Sequence, residues 1–280
     1  MNIKILSDST CDLSADLLAQ HDISLVSLII VKEGKEYSDG VDIHPADIFA
    51  HVAAGGSLCS TAALSFTVYQ EAFAKYADNY DGVLHISLGS GFSSSYQNAC
   101  LAADEFENVR VVDSQNLSTG QGLVVLEAVR LAKECASLEE LQDKVSAYAK
   151  RVEASFVLSQ LAYMVKGGRC SSAAALGANL LNLKPCIEVK DGKMSVVKKY
   201  RGSYSKCLSA YVKDRLDGRS DLEDSTVFIT YTPVSDEELD AARCGVQQYG
   251  KFRNVYETTA GCTISCHCGP GTLGVLFVRK

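Results

Sequence analysis

His85-Ile86-Ser87-Leu88-Gly89-Ser90-Gly91-Phe92-Ser93-Ser94-Ser95-Tyr96-Gln97 changes character twice in thirteen residues. Val83 to Ile86, apolar but for His85, reads as a strand buried on both faces. It empties into glycine and serine. Tyr96 to Phe106 then carries helical spacing. A strand, a small-residue loop and a helix in that order place the free N–H groups of a helix's first turn at the end of a strand. Those groups, with the helix dipole, favour an anion. Gly89 and Gly91 permit close backbone approach, and Ser93, Ser94 and Ser95 add hydroxyl donors. One of these serines can equally be a plain helix cap, with the glycines only turning the chain.

Working outward, the same alternation repeats. Ile3 to Leu6, Leu25 to Val31 and Val109 to Val112 read as strands. Ala46 to Ala54, Thr67 to Ala77, Gly122 to Cys135 and Leu138 to Val152 read as helices. Strands alternating with helices predict a parallel sheet covered on both faces. From about residue 155 the pattern changes. Phe156 to Gln160 reads as a strand. Lys166-Gly167-Gly168-Arg169 is a break, and Ser171 or Ser172 is positioned to cap an Ala-rich helix, Ala173 to Leu181. Ile187 to Val189 and Met194 to Val197 flank Asp191-Gly192, a two-residue hairpin signal. Helices Ser203 to Leu216 and Asp236 to Tyr249 surround a strand at Val227 to Tyr231, and three short strands are expected to end the chain. The expectation is α/β with two domains. Residues 1–155 form a three-layer parallel-sheet domain, and residues 156–280 an α+β domain with a mixed or antiparallel sheet.

The chain of 280 residues is 47% apolar and 22% charged, ordinary values for a folded globular protein. The net charge of −7 disfavours nucleic acid as a partner. It is unevenly spread. Residues 1–150 hold 9 Lys/Arg against 21 Asp/Glu, and residues 151–280 hold 18 against 13. No apolar run reaches the ~18 residues of a membrane span, and no secretory signal pattern stands at the N-terminus. Eleven scattered cysteines read as reduced thiols in a cytoplasm.

Three chemistries compete for the Gly/Ser loop. A dinucleotide fingerprint needs a third glycine where Ser94 stands, although Asp113 at the next strand end keeps a nucleotide reading open. A hydrolase nucleophile elbow needs G-x-S-x-G, and Gly91-Phe92-Ser93-Ser94-Ser95 ends in serine. A serine hydrolase would draw on Ser93, His267 and an aspartate such as Asp8. Ser7-Asp8-Ser9-Thr10-Cys11-Asp12 follows the first strand, at the sheet edge where ligands bind in α/β folds. Asp8 could accept backbone N–H bonds from a neighbouring loop, Asp12 could cap the following helix, and Ser60-Thr61 could bring further hydroxyls to the same edge. Cys262, Cys266, His267 and Cys268 have no recognised zinc spacing. On a strand, Cys266 and Cys268 would face away from His267, so no metal is expected. His21, His44, His51 and His85 read as surface or packing residues.

Taken together, Ser7-Asp8-Ser9 with Asp12, Leu88 to Gln97, Val112-Asp113-Ser114, Gly167-Gly168-Arg169 and His267-Cys268-Gly269-Pro270-Gly271 resemble, across the whole chain, the DegV family of fatty-acid-binding proteins. The family usually carries Thr-Ser-Gln-Pro near position 60, where this chain has Ser60-Thr61-Ala62-Ala63. The resemblance implies one long-chain fatty acid held between two domains, with no catalytic set and no cofactor. It implies a carboxylate received by Gly91, Ser93, Ser94, Thr61, Arg169 and His267. It also implies an ATP-dependent fatty-acid kinase as partner, which phosphorylates the bound acid for phospholipid synthesis. Leu161, Met164, the Ala173 to Leu183 segment and Ile29 are candidates for the apolar tunnel, although periodicity does not separate tunnel from core. Lys184 to Arg219 carries ten basic residues and four acidic ones. The Asp191-Gly192 hairpin would gather Lys198, Lys199 and Arg201 on one edge, and Arg201, near the cleft, is the expected kinase contact.

Overall fold

The computed structural model describes residues 1–176 and 183–280. Four strands, β1 (Ile3–Asp8), β2 (Ser24–Val26), β6 (Gly82–Ser87) and β7 (Val109–Asp113), pair in parallel in the order β2-β1-β6-β7. Every residue of β6 is buried, His85 and Ser87 included, as expected of a strand covered on both faces. Helices α1 (Ala15–Gln20), α3 (Phe66–Ala77) and α4 (Ser95–Ala103) lie in the crossovers of this sheet, and α5 (Ser118–Leu131) and α6 (Leu138–Ala149) lead from β7 to the second sheet.

The second sheet is built after residue 150. Its order is β10-β9-β8-β13-β11-β12, with strands β8 (Val152–Leu158), β9 (Leu183–Lys190), β10 (Lys193–Arg201), β11 (Leu222–Tyr231), β12 (Asn254–Thr259) and β13 (Thr272–Arg279). Only β11 and β12 run parallel; the other neighbours are antiparallel. Helices α9 (Tyr204–Leu216) and α10 (Asp236–Tyr249) enclose a separate core with Leu208, Tyr211, Val227 and Phe277. The fold is thus mixed α/β in two parts, one parallel and one mixed sheet. The hairpin forms at Asp191-Gly192, both with positive φ (51° and 69°), as a type I′ turn demands.

Several local expectations are corrected. Leu25 to Val31 is not one strand. The chain leaves the parallel sheet after β2 and enters a three-stranded antiparallel sheet, β4-β3-β5, made of β3 (Ile29–Lys32), β4 (Lys35–Ser38) and β5 (Ser60–Ala62). Asp12 does not cap α1: it adopts a left-handed conformation, and Ser14 caps α1 by accepting from Leu17 N–H. Helix α5 begins at Ser118 rather than Gly122, and β8 claims Val152 from the preceding helix. The short helix α8 (Ser171–Ala174) is capped by neither Ser171 nor Ser172. Cys170 stands at its N-cap, and the Ser172 hydroxyl accepts from Val196 N–H instead. The expected Ala-rich helix gives way to a turn at Ala175 and Leu176, and its remainder, from residue 177, lies outside the described residues. The chain ends in two strands with a helix between them, α11 (Cys262–Cys268). Its β-branched and cysteine content hides it from propensity.

α11 is fixed by carboxylates from the far end of the sequence. Asp39 accepts from Cys262 N–H (3.0 Å), Thr263 N–H (3.1 Å) and the Thr263 hydroxyl (2.6 Å). Asp12 accepts from Gly261 N–H at 2.9 Å. Two acidic groups at a helix N-terminus satisfy its free N–H groups and complement the dipole. They lock the last helix onto the first part of the fold, with His267 near its other end.

Candidate functional site

A cavity of about 120 Å³ opens where the Ser loop, β5, α11 and the segment after α7 (Ala162–Gly167) meet. Its polar lining is Thr61, Ser93, Ser94, Thr263, Arg169 and His267, with no carboxylate among the described residues that line it. Leu28, Leu88, Phe92, Leu117, Met164 and Ile264 supply apolar wall. A second, smaller cavity of about 30 Å³ is lined by Phe156, Thr230 and Leu276 of the second sheet. Leu117, Ile264 and Cys268 line both. The polar groups therefore share a cavity with an apolar wall, and part of that wall borders the smaller cavity.

The His267 Nε2 and Thr61 Oγ1 atoms are 2.8 Å apart. The Nδ1 atom is buried without a partner and faces Gly167, whose added Cβ would stand 2.3 Å from it. Burial, with the Arg169 charge beside it, lowers the His267 pKa to about 4. The ring is neutral near pH 7. A buried N–H without an acceptor costs more than an unused lone pair, so the proton belongs on Nε2. That tautomer donates to Thr61 and leaves the threonine hydroxyl proton free to point into the cavity.

The serine loop is held from behind by two aspartates. Asp113 accepts from Ser90 N–H (3.0 Å) and the Ser90 hydroxyl (2.5 Å). Asp8 accepts from Leu88 N–H (2.7 Å), the Tyr69 hydroxyl (2.7 Å) and the Ser87 hydroxyl (2.9 Å), and pairs with the His85 ring at 3.2 Å. Burial would raise the Asp8 carboxyl, but His85 and these bonds outweigh it and hold the pKa below the usual range. The sequence reading of Asp8 as a loop holder agrees with this geometry. The two enzyme alternatives do not. Asp113 is consumed by the loop itself. Asp8 bonds His85, while His267 bonds Thr61 and no serine of the loop, so Ser93, His267 and Asp8 form no triad.

The candidate residues fall into three groups. Thr61, Ser93, Ser94, Arg169 and His267 meet at the cavity. The Ser93 oxygen also accepts from Ser95 N–H at 3.1 Å, so it shares the helix-capping role. Ser94 occupies the N-cap position of α4, but its side chain makes no capping bond. Arg169 donates to the Gly167 carbonyl at 2.8 Å, and its Nε lies 3.4 Å from the Phe92 carbonyl. Gly91 is structural: a Cβ there would stand 2.1 Å from the Gly192 carbonyl, so the hairpin tip rests on the bare loop backbone. Arg201 is exposed at the end of β10, pairs in register with Leu183, and is not among the residues lining the cavity.

Of the tunnel candidates, Met164 lines the cavity, whereas Leu161 and Ile29 pack against the core, Ala173 is buried within it, and residues 177–182 lie outside the described part. The basic run is paired in part, and some of its acidic partners lie outside it. Arg215 pairs with Glu153 and Glu188, Arg219 with Glu153 and Asp221, and Lys198 with Asp214. Among the described residues no three His, Cys, Asp or Glu side chains converge as metal ligands. Cys262 and Cys266 are one helical turn apart, where a strand was expected. No helix described is long and apolar enough to cross a membrane. The sequence reading missed Asp39, Leu117 and Ile264. Their partners are remote in sequence, and no local pattern marks them.

The arrangement has close structural relatives. A DegV family protein from Thermus thermophilus, described as binding fatty acid, superposes with a TM-score of 0.90 at 28% identity, covering 100% of both chains. A DegV lipid-binding protein from Thermotoga maritima gives 0.87 at 27% identity, again over 100% of both chains. In sequence, a DegV domain-containing protein of Clostridium acetobutylicum is 33% identical over 281 residues, 99% of each chain. The DegV family pattern matches residues 2–280. With the loop, the terminal helix and the two sheets all in the family's order, the chain belongs to the DegV family.

Proposed function

We propose that this protein binds one long-chain fatty acid, with its carboxylate at Thr61, Ser93, Ser94 and Arg169 and its tail past Leu117 and Ile264. The observation that carries this reading is the asymmetry of the cavity. Its described lining gathers hydroxyls, a guanidinium and a neutral imidazole, with no carboxylate among those residues to repel an anion. The rest is apolar. Hydrogen bonds to a charged group contribute about 1.5–3 kcal/mol each, and each buried methylene about 0.8 kcal/mol. The tail therefore supplies most of the affinity and the head group fixes direction. The enclosed volume is small for a long acyl chain. Met164 and Met194 line it, and unbranched thioether side chains re-pack readily around a ligand. The fatty-acid binding described for the Thermus relative supports the same reading.

We read the protein as a carrier rather than an enzyme: with its Nε2 proton donated to Thr61, the His267 ring does not serve that hydroxyl as a base. We extend the proposal to presentation of the carboxylate to a separate ATP-dependent fatty-acid kinase, in a cytoplasmic route to phospholipid. The division of the chain falls near residue 155, and Arg201 contacts the kinase. Denaturing the purified protein and identifying released lipid by mass spectrometry tests the central claim. A stoichiometric C16–C18 acid is the expected result. Protein that carries no lipid and takes up none of a C14–C18 series would refute it.

A further inference from the structure

Gly167 closes α7 and Gly168 follows it, yet the two glycines are there for different reasons. Gly168 has φ 68° and nothing within 4 Å of where a Cβ would stand, so its backbone alone calls for glycine. Gly167 is helical, with no positive φ, and alanine would suit that backbone better. Space is what forbids it. The three atoms nearest to an added Cβ all belong to the His267 ring, and Nδ1 would be overlapped. That nitrogen is buried and has no hydrogen-bond partner. The ring is therefore seated on the bare backbone of Gly167 rather than tethered there.

The seating is reciprocal. Tyr163, four residues earlier on α7, lies over Gly269 just past the end of α11, where an added Cβ would stand 2.5 Å from its ring. Each helix thus rests one ring on a glycine of the other. Lys166 fixes the same turn of α7 by donating to the Leu58 carbonyl at 2.9 Å. The Gly167 carbonyl in turn accepts from Arg169 at 2.8 Å. One glycine meets the imidazole with its bare backbone and the guanidinium with its carbonyl.

We propose that Gly167 is a positioning residue for the head-group site: the absence of a side chain there seats the His267 ring so that Nε2 reaches Thr61, and its carbonyl keeps Arg169 beside that ring. The part played in ligand binding rests on the fatty-acid reading of the site; the seating of the ring does not.

The imidazole is rigid, so its two nitrogens move together. A methyl at position 167 drives Nδ1 away, and Nε2 does not then stay 2.8 Å from the Thr61 hydroxyl. Retreat of α7 instead would unseat Tyr163 from Gly269 and pull Lys166 from Leu58. A close-packed interior relieves overpacking by such shifts. With Nε2–H displaced, Thr61 loses the donor that fixes its oxygen, and its own proton loses its set direction into the cavity.

The test compares the delipidated full chain as wild type, Gly167→Ala, His267→Ala and the double variant. With the ring present, Gly167→Ala should lower palmitate affinity by roughly tenfold, the value of one charge-assisted bond. It should also lower the melting temperature and shift the imidazole nitrogen resonances of His267. In the His267→Ala background the same substitution should change affinity by less than about twofold and leave the melting temperature undiminished, because the methyl then has room. A Gly167→Ala chain that folds only once His267 is removed would support the same conclusion. Equal losses of melting temperature in the two backgrounds, or failure to fold in both, would overturn the seating. Coupled melting temperatures with unaltered palmitate affinity in Gly167→Ala would overturn the role in binding. Should the wild-type protein bind no palmitate while the melting temperatures stay coupled, the functional reading fails and the seating stands.

Discussion

His267 Nε2 and Thr61 Oγ1 lie 2.8 Å apart although 206 residues separate them in the chain. The bond joins a strand of the small antiparallel sheet to the last helix, and that helix is fixed at its other end by Asp12 and Asp39. Thr61→Val removes the hydroxyl while keeping the shape. It should weaken palmitate binding by roughly tenfold, the value of one charge-assisted bond. Thermal stability should fall too, by about 1–3 kcal/mol, because the buried His267 Nε2–H is left without an acceptor. Isothermal titration beside a melting curve separates the two effects, and an unaltered affinity would remove Thr61 from the head-group site.

Ser93 and Ser94 should behave differently. Ser93→Ala loses both a head-group donor and the acceptor for Ser95 N–H, so affinity and stability fall together, the latter by about 1 kcal/mol. Ser94→Ala loses only the donor to the cavity. Its affinity should drop while its denaturation midpoint holds. Equal destabilisation in both variants would mean that Ser94 also holds the loop.

Gly91→Ala places a methyl 2.1 Å from the Gly192 carbonyl. The hairpin tip must move, at a cost of about 1–3 kcal/mol for overpacking. Amide exchange should quicken at Asp191 and Gly192 and remain slow in the buried β6. Unchanged exchange at the tip would show that the contact is dispensable.

The Asp12 pKa is raised to about 8, first by burial, against about 3.9 in an unfolded chain. Between those values the native state holds a proton that the unfolded state has lost. Stability therefore falls as pH rises through that window, with a slope approaching about 1.4 kcal/mol per pH unit from this group. Asp12→Asn mimics the protonated carboxyl and tolerates the left-handed backbone of this position. It should flatten that part of the stability profile in urea titrations across pH 5–8. His267, with its pKa lowered to about 4, acts in the opposite sense: stability is lost as pH falls from about 6.5 toward 4.

Arg201→Ala should leave palmitate affinity intact and slow acyl-phosphate formation when a cognate kinase is supplied, more at low salt than at high. Because Lys198, Arg215 and Arg219 are already paired, Lys199 and Arg201 carry the burden of that edge. Normal phosphorylation at every salt concentration would remove Arg201 from the kinase contact.

The sequence by itself determined whatever depends on neighbours in the chain. A mostly apolar run makes β6, Gly and Ser after it make the loop, and Asp191-Gly192 makes the hairpin, because strand burial and positive φ are local demands. The same local reading named Ser93, Ser94, Thr61 and His267 as candidates, and the family resemblance added Arg169. Only the tertiary structure decided which groups those residues serve. It split Leu25 to Val31 between two sheets, since each half pairs with a different partner. It made a helix of Cys262–Cys268, a segment of poor helix propensity, because Asp39 and Asp12 satisfy its free N–H groups from more than 200 positions away. It turned Gly91 from a ligand contact into a seat for the hairpin and gave Asp8 to His85 rather than His267. Hydrogen-bond partners and apolar walls are chosen by proximity in space, and sequence spacing carries no record of contacts between residues so far apart.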